Sequence, residues 1–128
     1  FEPFGLAGFE DVRPGALSGG MRQRAALLRT VVGGREVLLL DEPFGALDAL
    51  TRTAMQDWLE SVRARYGWTT VLITHDVREA ALLSDRVLVF SPRPATVVRE
   101  VVVDAGRPRS RTDPTLAAVE ADLLETLR

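Results

Sequence analysis

The feature that most constrains the fold is an uninterrupted run of apolar residues at positions 37–40, which stops at Asp41. Runs of this kind are typical of strands buried on both faces of a parallel sheet. Residues 69–74 are rich in β-branched side chains and indicate a second buried strand. A helix predicted between them, over 49–65, gives the order strand, helix, strand. This order predicts α/β architecture with a mainly parallel sheet flanked by helices.

Apolar residues at helical spacing predict two long helices in the first half of the chain. The first is expected over 21–32, directly after a pair of glycines. In the helix over 49–65, Met55 and Leu59 lie beside the apolar stripe that we expect to face the core. That stripe consists of Leu50, Ala54, Trp58 and Val62.

The second half is predicted to contain a short helix and a hairpin. Asp76 with Glu79 three residues on resembles a capping pair that opens a helix over 77–83. Strands over 86–90 and 96–103 flank a proline-rich turn and should pair as a β-hairpin.

A final helix should begin after Asp113, which can cap it, with Pro114 at its first position. Its apolar side would be formed by Leu116, Val119, Leu123 and Leu127. We therefore divide the sequence into a main domain over 1–103 and a C-terminal connector and helix over 104–128.

Composition excludes several classes of protein. The chain has 128 residues, 46% of them apolar, which is enough for one small domain with a core. Sixteen basic and eighteen acidic residues give no support for nucleic acid or a lipid surface as the main partner. The absence of cysteine excludes disulfides, cysteine-ligated zinc and a thiol nucleophile. The first residue is Phe1 rather than Met, so we expect a truncated sequence.

Ser18, Gly19 and Gly20 precede the first long helix in a pattern suited to phosphate binding. Glycines let backbone N–H groups approach an anion closely, and a helix N-terminus adds partial positive charge. The three residues alone favour a serine N-cap with glycines in a tight loop.

Polar residues follow both predicted parallel strands. Asp41 and Glu42 follow the first strand, and His75, the single histidine, follows the second. Ligands of open α/β sheets bind at this carboxyl edge. A carboxylate there can hold Mg²⁺ through water, and a second can orient an attacking water. Exposed strand ends and a structural histidine are the alternatives.

Four motifs, taken with their order, resemble one family. Residues 17–24 resemble the signature motif of ABC ATPases, with Met in place of the usual Gln. Residues 37–43 resemble its Walker B motif, 44–48 its D-loop and 73–76 its H-loop. The resemblance covers most of the chain and implies part of a P-loop NTPase (RecA-like) ABC domain. Residues 43–52 and 91–94 look most like the nitrate/sulfonate/taurine importer ATPases, and thiamine-precursor importers look similar.

The resemblance implies a division of roles between two facing subunits. Ser18, Gly19 and Gly20 would contact the γ-phosphate of ATP bound to the opposite subunit. Asp48, in the D-loop, would carry communication between the two ATP sites, although it is also well placed to cap the following helix. Such a site requires a homodimer or a paired ATPase subunit.

For the hydrolytic step, the resemblance implies three further roles. Asp41 would be the acid on the Mg²⁺ side and would hold the ion through water. Glu42 would be the general base, and His75 would contact the γ-phosphate and hold the base and water in place. Glu42 and His75 would meet because their strands are adjacent. The implied cofactors are therefore ATP and Mg²⁺.

The implied assembly is an importer in which the ATPase lies on the cytoplasmic face of the membrane. Its partners would be transmembrane permease subunits and, indirectly, an extracytoplasmic binding protein. The sequence contains no P-loop motif Gly-x-x-x-x-Gly-Lys-Ser/Thr. We therefore expect these 128 residues alone to be inactive and poorly stable. Two alternatives stay open: a soluble ABC ATPase outside transport, and a non-catalytic dimerisation or interaction module.

Overall fold

A computed structural model describes residues 2–128, apart from the side chains at positions 3 and 31. The chain divides into two compact units, one ending at Ile73 and the other comprising Thr74–Arg128. The division into 1–103 and 104–128 stays a prediction.

The first unit contains two 3-10 turns, two helices and one strand pair. The helices are α1 (Gly19–Val32) and α2 (Ala49–Tyr66), and the strands are β1 (Val37–Asp41) and β2 (Thr69–Ile73). The strands pair in parallel, with Val37 opposite Thr69 and Asp41 opposite Ile73. The predicted strand, helix, strand order is confirmed. Helix α1 begins two residues earlier than predicted because both glycines lie within its first turn.

Helix α2 has a well-defined beginning and end. Asp48 is its N-cap, and Gly67 ends it in the left-handed conformation, with φ of 65°. The buried side of the helix agrees with the predicted stripe only in part. Val62 is buried and Trp58 is half-buried, but Leu50 is 85% exposed and Ala54 is exposed. The other buried residues are Met55, Gln56 and Leu59. The periodicity allowed two neighbouring stripes, and contact with α1 selects the one containing Met55.

Aromatic side chains form the core at one end of this unit. Phe4 is 2% exposed, and its ring centroid lies 5.4 Å from that of Trp58. Tyr66 and Trp68 stack at 5.1 Å with only 6° between their planes. The N-terminal segment is therefore attached to α2 by ring packing, which the sequence analysis did not anticipate.

The expectation that β1 and β2 are buried on both faces is wrong for this chain. Leu38 is completely buried, but its neighbour Leu39 is 76% exposed. Val71 and Ile73 of β2 are also about half exposed. Successive side chains of a strand point to opposite faces, so one face of this pair is covered and the other is open.

The second unit contains α3 (Val77–Leu83), the strands β3 (Arg86–Phe90) and β4 (Val97–Val102), and α4 (Pro114–Thr126). The strands pair antiparallel, which confirms the predicted hairpin. Asp113 caps α4 as predicted, accepting a hydrogen bond from the Thr115 amide. The apolar side of α4 comprises Leu116, Val119 and Leu123, but Leu127 is 56% exposed because the helix ends at Thr126.

An arginine of the connector holds the C-terminal end of α3. The Arg109 side chain is 2% exposed. Its guanidinium donates to the carbonyls of Ala81, Leu82 and Ser84, at 3.1, 3.1 and 2.6 Å. These carbonyls lie where a helix leaves its acceptors without intrahelical partners. The buried guanidinium of Arg109 therefore holds the connector against the end of α3 by donating to several carbonyls at once.

Candidate functional site

Ser18 acts as the N-cap of α1. Its Oγ accepts a hydrogen bond of 3.2 Å from the Met21 amide, and its carbonyl accepts one of 2.9 Å from Arg22. The residue is exposed. The capping alternative is thus confirmed as geometry, and contact with a phosphate stays a prediction.

The two glycines allow α1 to pack closely against the residues that begin α2. A Cβ added to Gly19 would lie 3.3 Å from Leu47 Cδ2, and one added to Gly20 would lie 3.2 Å from Thr51 Cγ2. Both separations are tighter than ordinary van der Waals contact. A packing requirement therefore explains these glycines within the chain, independently of any phosphate.

The two arginines after the glycines have different surroundings. Arg22 is exposed, as is usual for a charged side chain on the solvent face of a helix. Arg24 is partly buried, with Nε 3.3 Å from Met55 Sδ and the guanidinium carbon 5.9 Å from the Trp58 ring centroid. Arg24 therefore packs between α1 and α2.

Asp41 and Glu42 lie at the carboxyl edge of the parallel pair, as predicted. Asp41 is the last residue of β1, and the Glu42 amide donates a hydrogen bond of 2.8 Å to the Ile73 carbonyl. Both residues are exposed. Glu42 has φ of 45°, a left-handed conformation that is rare outside glycine and asparagine. Such strain is concentrated at functional sites, where it re-aims a side chain.

The loop over 43–48 is fixed by the first turn of α2. Arg52 donates from Nε to the Phe44 carbonyl at 3.3 Å and from Nη2 to the Leu47 carbonyl at 3.0 Å. The Phe44 ring is 1% exposed. The loop between Glu42 and α2 is thus anchored by both a buried ring and a guanidinium, and sequence reasoning missed the role of Arg52.

Asp48 closes this loop as the N-cap of α2, which confirms its predicted capping role. Its Oδ1 accepts from the Thr51 amide at 2.9 Å, and its Oδ2 accepts from Thr51 Oγ1 at 2.7 Å. The backbone bond from Thr51, followed by its side-chain bond, lowers the pKa of the Asp48 carboxyl below its ordinary value of 3.8.

His75 lies in the second unit, on a short exposed bend whose flanks are fixed. Thr74 Oγ1 donates to Glu79 Oε2 at 2.7 Å and accepts from the Asp76 amide at 3.0 Å. Asp76 Oδ1 accepts from the amides at positions 78 and 79, so its predicted capping role is confirmed. Glu79 is only 5% exposed and reaches Thr74, a contact that the capping pattern did not predict.

The structure brings most of the predicted site into the first unit. Gly19 contacts Leu47 in the loop that runs from Glu42 to Asp48. The approach of His75 to Glu42 stays a prediction. Across residues 2–128, no group of three or more His, Asp or Glu side chains is arranged to hold a metal ion. None of the helices described is long and apolar enough to cross a membrane.

A parallel strand pair with an acidic pair at its carboxyl edge, a capped loop and a glycine-led helix is the local arrangement expected from the resemblance to ABC ATPases. The ABC transporter family model matches residues 1–45. The chain is 50% identical over 127 residues to the aliphatic sulfonates import ATP-binding protein SsuB 1 of Pseudomonas syringae pv. syringae (strain B728a), covering 99% of this chain and 54% of that protein. It is 53% identical over 123 residues to SsuB 1 of Rhodococcus jostii (strain RHA1), covering 96% and 49%.

Solved structures agree on the fold. The ATP-binding cassette MJ0796, solved as a dimer in a post-hydrolysis state with ADP and Pi, matches at a TM-score of 0.62 and 28% identity, over 82% of this chain and 46% of that one. The cbiO1 protein from Clostridium perfringens matches at a TM-score of 0.70 and 24% identity, over 99% and 46%. The chain spans about half the length of the curated relatives it matches. The predicted fold and the resemblance to ABC transporter ATP-binding subunits are confirmed.

Proposed function

We propose that this chain is the part of an ATP-hydrolysing importer subunit that runs from the signature motif through the H-loop. The complete protein would contain the P-loop and would drive the uptake of aliphatic sulfonates. The substrate class follows the names of the relatives that are about half identical to this chain. The observation that carries the proposal is the left-handed Glu42, which follows β1 and is bonded to the end of β2.

Glu42 is the general base of this proposal. Its backbone is bonded to Ile73, and its side chain is exposed at the sheet edge where ligands of this architecture bind. There the carboxylate accepts a proton from the water that attacks the γ-phosphate. His75, on a bend fixed from both sides by Thr74 and Asp76, contacts the γ-phosphate and orients that water.

The residues present fit a magnesium ion held with ATP. Mg²⁺ usually takes one or two protein carboxylates, keeps several waters and completes its shell with substrate phosphates. Asp41 offers one exposed carboxylate at the strand end, which suits this donor set. When bound, the ion would neutralise charge that develops on the phosphate oxygens.

Ser18, Gly19 and Gly20 serve the opposite subunit. Ser18 is exposed at the start of α1, so its hydroxyl is accessible to a facing molecule. Free N–H groups at the start of this helix suit the γ-phosphate held there. The complete protein therefore acts as a homodimer or with a paired ATPase subunit. It lies at the cytoplasmic face of the membrane, where its remaining partners are transmembrane permease subunits. An extracytoplasmic binding protein is an indirect partner.

The test measures uptake of a labelled alkanesulfonate by cells in which the complete protein is the only source of this ATPase. Glu42→Gln should abolish uptake, because an amide cannot accept the proton. Glu36→Gln is the matched control, since Glu36 is an exposed glutamate directly before β1, and it should leave uptake unchanged. Normal uptake with Glu42→Gln would contradict the base assignment. ATP hydrolysis without alkanesulfonate uptake in the wild type would remove only the substrate class.

A further inference from the structure

Thr51, in the first turn of α2, contacts two of the motifs that the proposed function uses. Its hydroxyl donates to Asp48 Oδ2 at 2.7 Å, and its amide donates to Asp48 Oδ1 at 2.9 Å. On the other side, its Cγ2 methyl would lie 3.2 Å from a Cβ built on Gly20. One side chain therefore meets the D-loop carboxylate through its polar atom and the signature helix through its methyl group.

We propose that Thr51 is a positioning residue that keeps the D-loop and the start of α1 in a fixed relationship. This role rests on the proposed function, because it concerns the two motifs that would face the second ATP site. Asp48 is exposed, so without a second bond its carboxylate could rotate into solvent. The Thr51 hydroxyl supplies that second bond and is charge-assisted, which makes it stronger than a neutral hydrogen bond.

The methyl group acts on the glycines rather than on the carboxylate. Gly20 is buried, and only a missing side chain lets α1 approach Thr51 and Met55 this closely. A β-branched residue at position 51 has few rotamers in a helix, and the hydrogen bond of its hydroxyl to Asp48 together with the packing of its methyl group against Gly20 fixes one of them. A shift of Asp48 would therefore be passed to the start of α1 through a stiff side chain.

Two substitutions separate the two halves of this contact. Thr51→Val keeps the methyl contact and removes the hydroxyl, whereas Thr51→Ser keeps the hydroxyl and removes the methyl. Thr53→Val is the matched control, because the Thr53 hydroxyl donates to the Ala49 carbonyl of the same helix at 3.0 Å. The control makes the same chemical change two residues away.

Steady-state ATP hydrolysis by the complete protein gives the first readout. Thr51→Val should lower kcat about tenfold, the equivalent of one charge-assisted hydrogen bond, with KM for ATP within about twofold of wild type. Thr51→Ser should retain most of the wild-type kcat, and Thr53→Val should leave kcat unchanged. An unchanged kcat for Thr51→Val, or an equal loss with Thr51→Ser, would overturn the proposal.

A double-mutant cycle gives a second readout that does not depend on ATP. Gly20→Ala should lower the thermal unfolding midpoint in the wild-type background and lower it less when combined with Thr51→Ser, since the smaller side chain makes room for the new methyl group. An equal loss in both backgrounds would contradict the contact and overturn the proposal. A wild-type protein without ATPase activity would remove the proposed function and this role in turnover, while the cycle would still report the contact.

Discussion

The Glu42 amide donates a hydrogen bond of 2.8 Å to the Ile73 carbonyl, across the ends of the two parallel strands. The bond extends the ladder one residue beyond the Asp41–Ile73 pair. It also coincides with the left-handed backbone of Glu42. The backbone of the candidate base is therefore fixed at the strand end by its own main-chain hydrogen bond. Because its φ is left-handed, its side chain does not follow the alternation of side-chain directions along β1.

The strain at Glu42 predicts an unusual response to glycine. A left-handed conformation costs an ordinary L-residue about 1 kcal/mol that glycine does not pay. Glu42→Gly should therefore unfold at a higher urea concentration than Glu42→Ala. The corresponding difference in unfolding free energy should be about 1 kcal/mol. At Glu36, which has no such backbone, the order should reverse because glycine loses more entropy on folding. The same order at both positions would contradict the strain.

Asp48 predicts a dependence of stability on acid. Its pKa is lower in the folded protein than in the unfolded chain, first because of the bond from the Thr51 amide. The folded state therefore favours the charged carboxylate, and this contribution is complete above the unfolded value of 3.8 and is lost as pH falls through the folded pKa. Asp48→Asn keeps a good N-cap without the charge. The difference in unfolding midpoint between wild type and Asp48→Asn should shrink below about pH 4, and a constant difference would contradict the assignment.

Arg109 predicts a large loss of stability in the second unit. Arg109→Ala would leave the carbonyls of Ala81, Leu82 and Ser84 without this donor, at a cost of about 2–4 kcal/mol of unfolding free energy. Arg109→Lys should recover only part, because an ammonium lacks the planar fork. Arg78→Ala, at an exposed position of α3 in the same unit, serves as the control and should change the unfolding free energy by less than about 0.5 kcal/mol. Equal effects of Arg109→Ala and Arg78→Ala would refute the anchoring role.

The surroundings of Arg24 predict that its side chain stabilises the fold mainly by packing and less by its charge. Its side chain lies against Met55 and Trp58, so Arg24→Met should keep most of the contact and Arg24→Ala should lose about 1–2 kcal/mol of unfolding free energy. Urea unfolding measures both. A loss with Arg24→Met as large as with Arg24→Ala would mean that the charge carries the effect.

Local patterns predicted the elements well because each had a local cause. The β1 and β2 runs and the Asp48 and Asp113 caps appear where the sequence places them, and α2 ends within one residue of its predicted end. The buried side of α2 was predicted only in part, because two adjacent stripes fitted the same period and only contact with α1 distinguishes them. Side chains that bridge distant segments were missed for the same reason, as Arg109 and α3 illustrate.

The motifs put the candidate site residues after strands and before helices, and the structure has them at those positions, while their roles stay predictions. What motif reasoning did not predict is the support around them. Arg52 and Thr51 reach the loop over 43–48 from α2, and Thr74 joins Glu79 beneath the His75 bend. These hydrogen bonds depend on the directions that the side chains take in the folded chain. Motif spacing could not predict them, because it specifies only how many residues separate two positions in the sequence.

Phosphate release by the complete protein tests the central claim most directly. Purified wild type and Glu42→Gln are compared for ATP turnover and for retention of bound ATP, with Glu36→Gln as control. If Glu42 is the general base, Glu42→Gln binds ATP and forms the dimer but loses at least about 100-fold in turnover, within the range of a missing acid–base group. Turnover equal to wild type in Glu42→Gln would contradict the account.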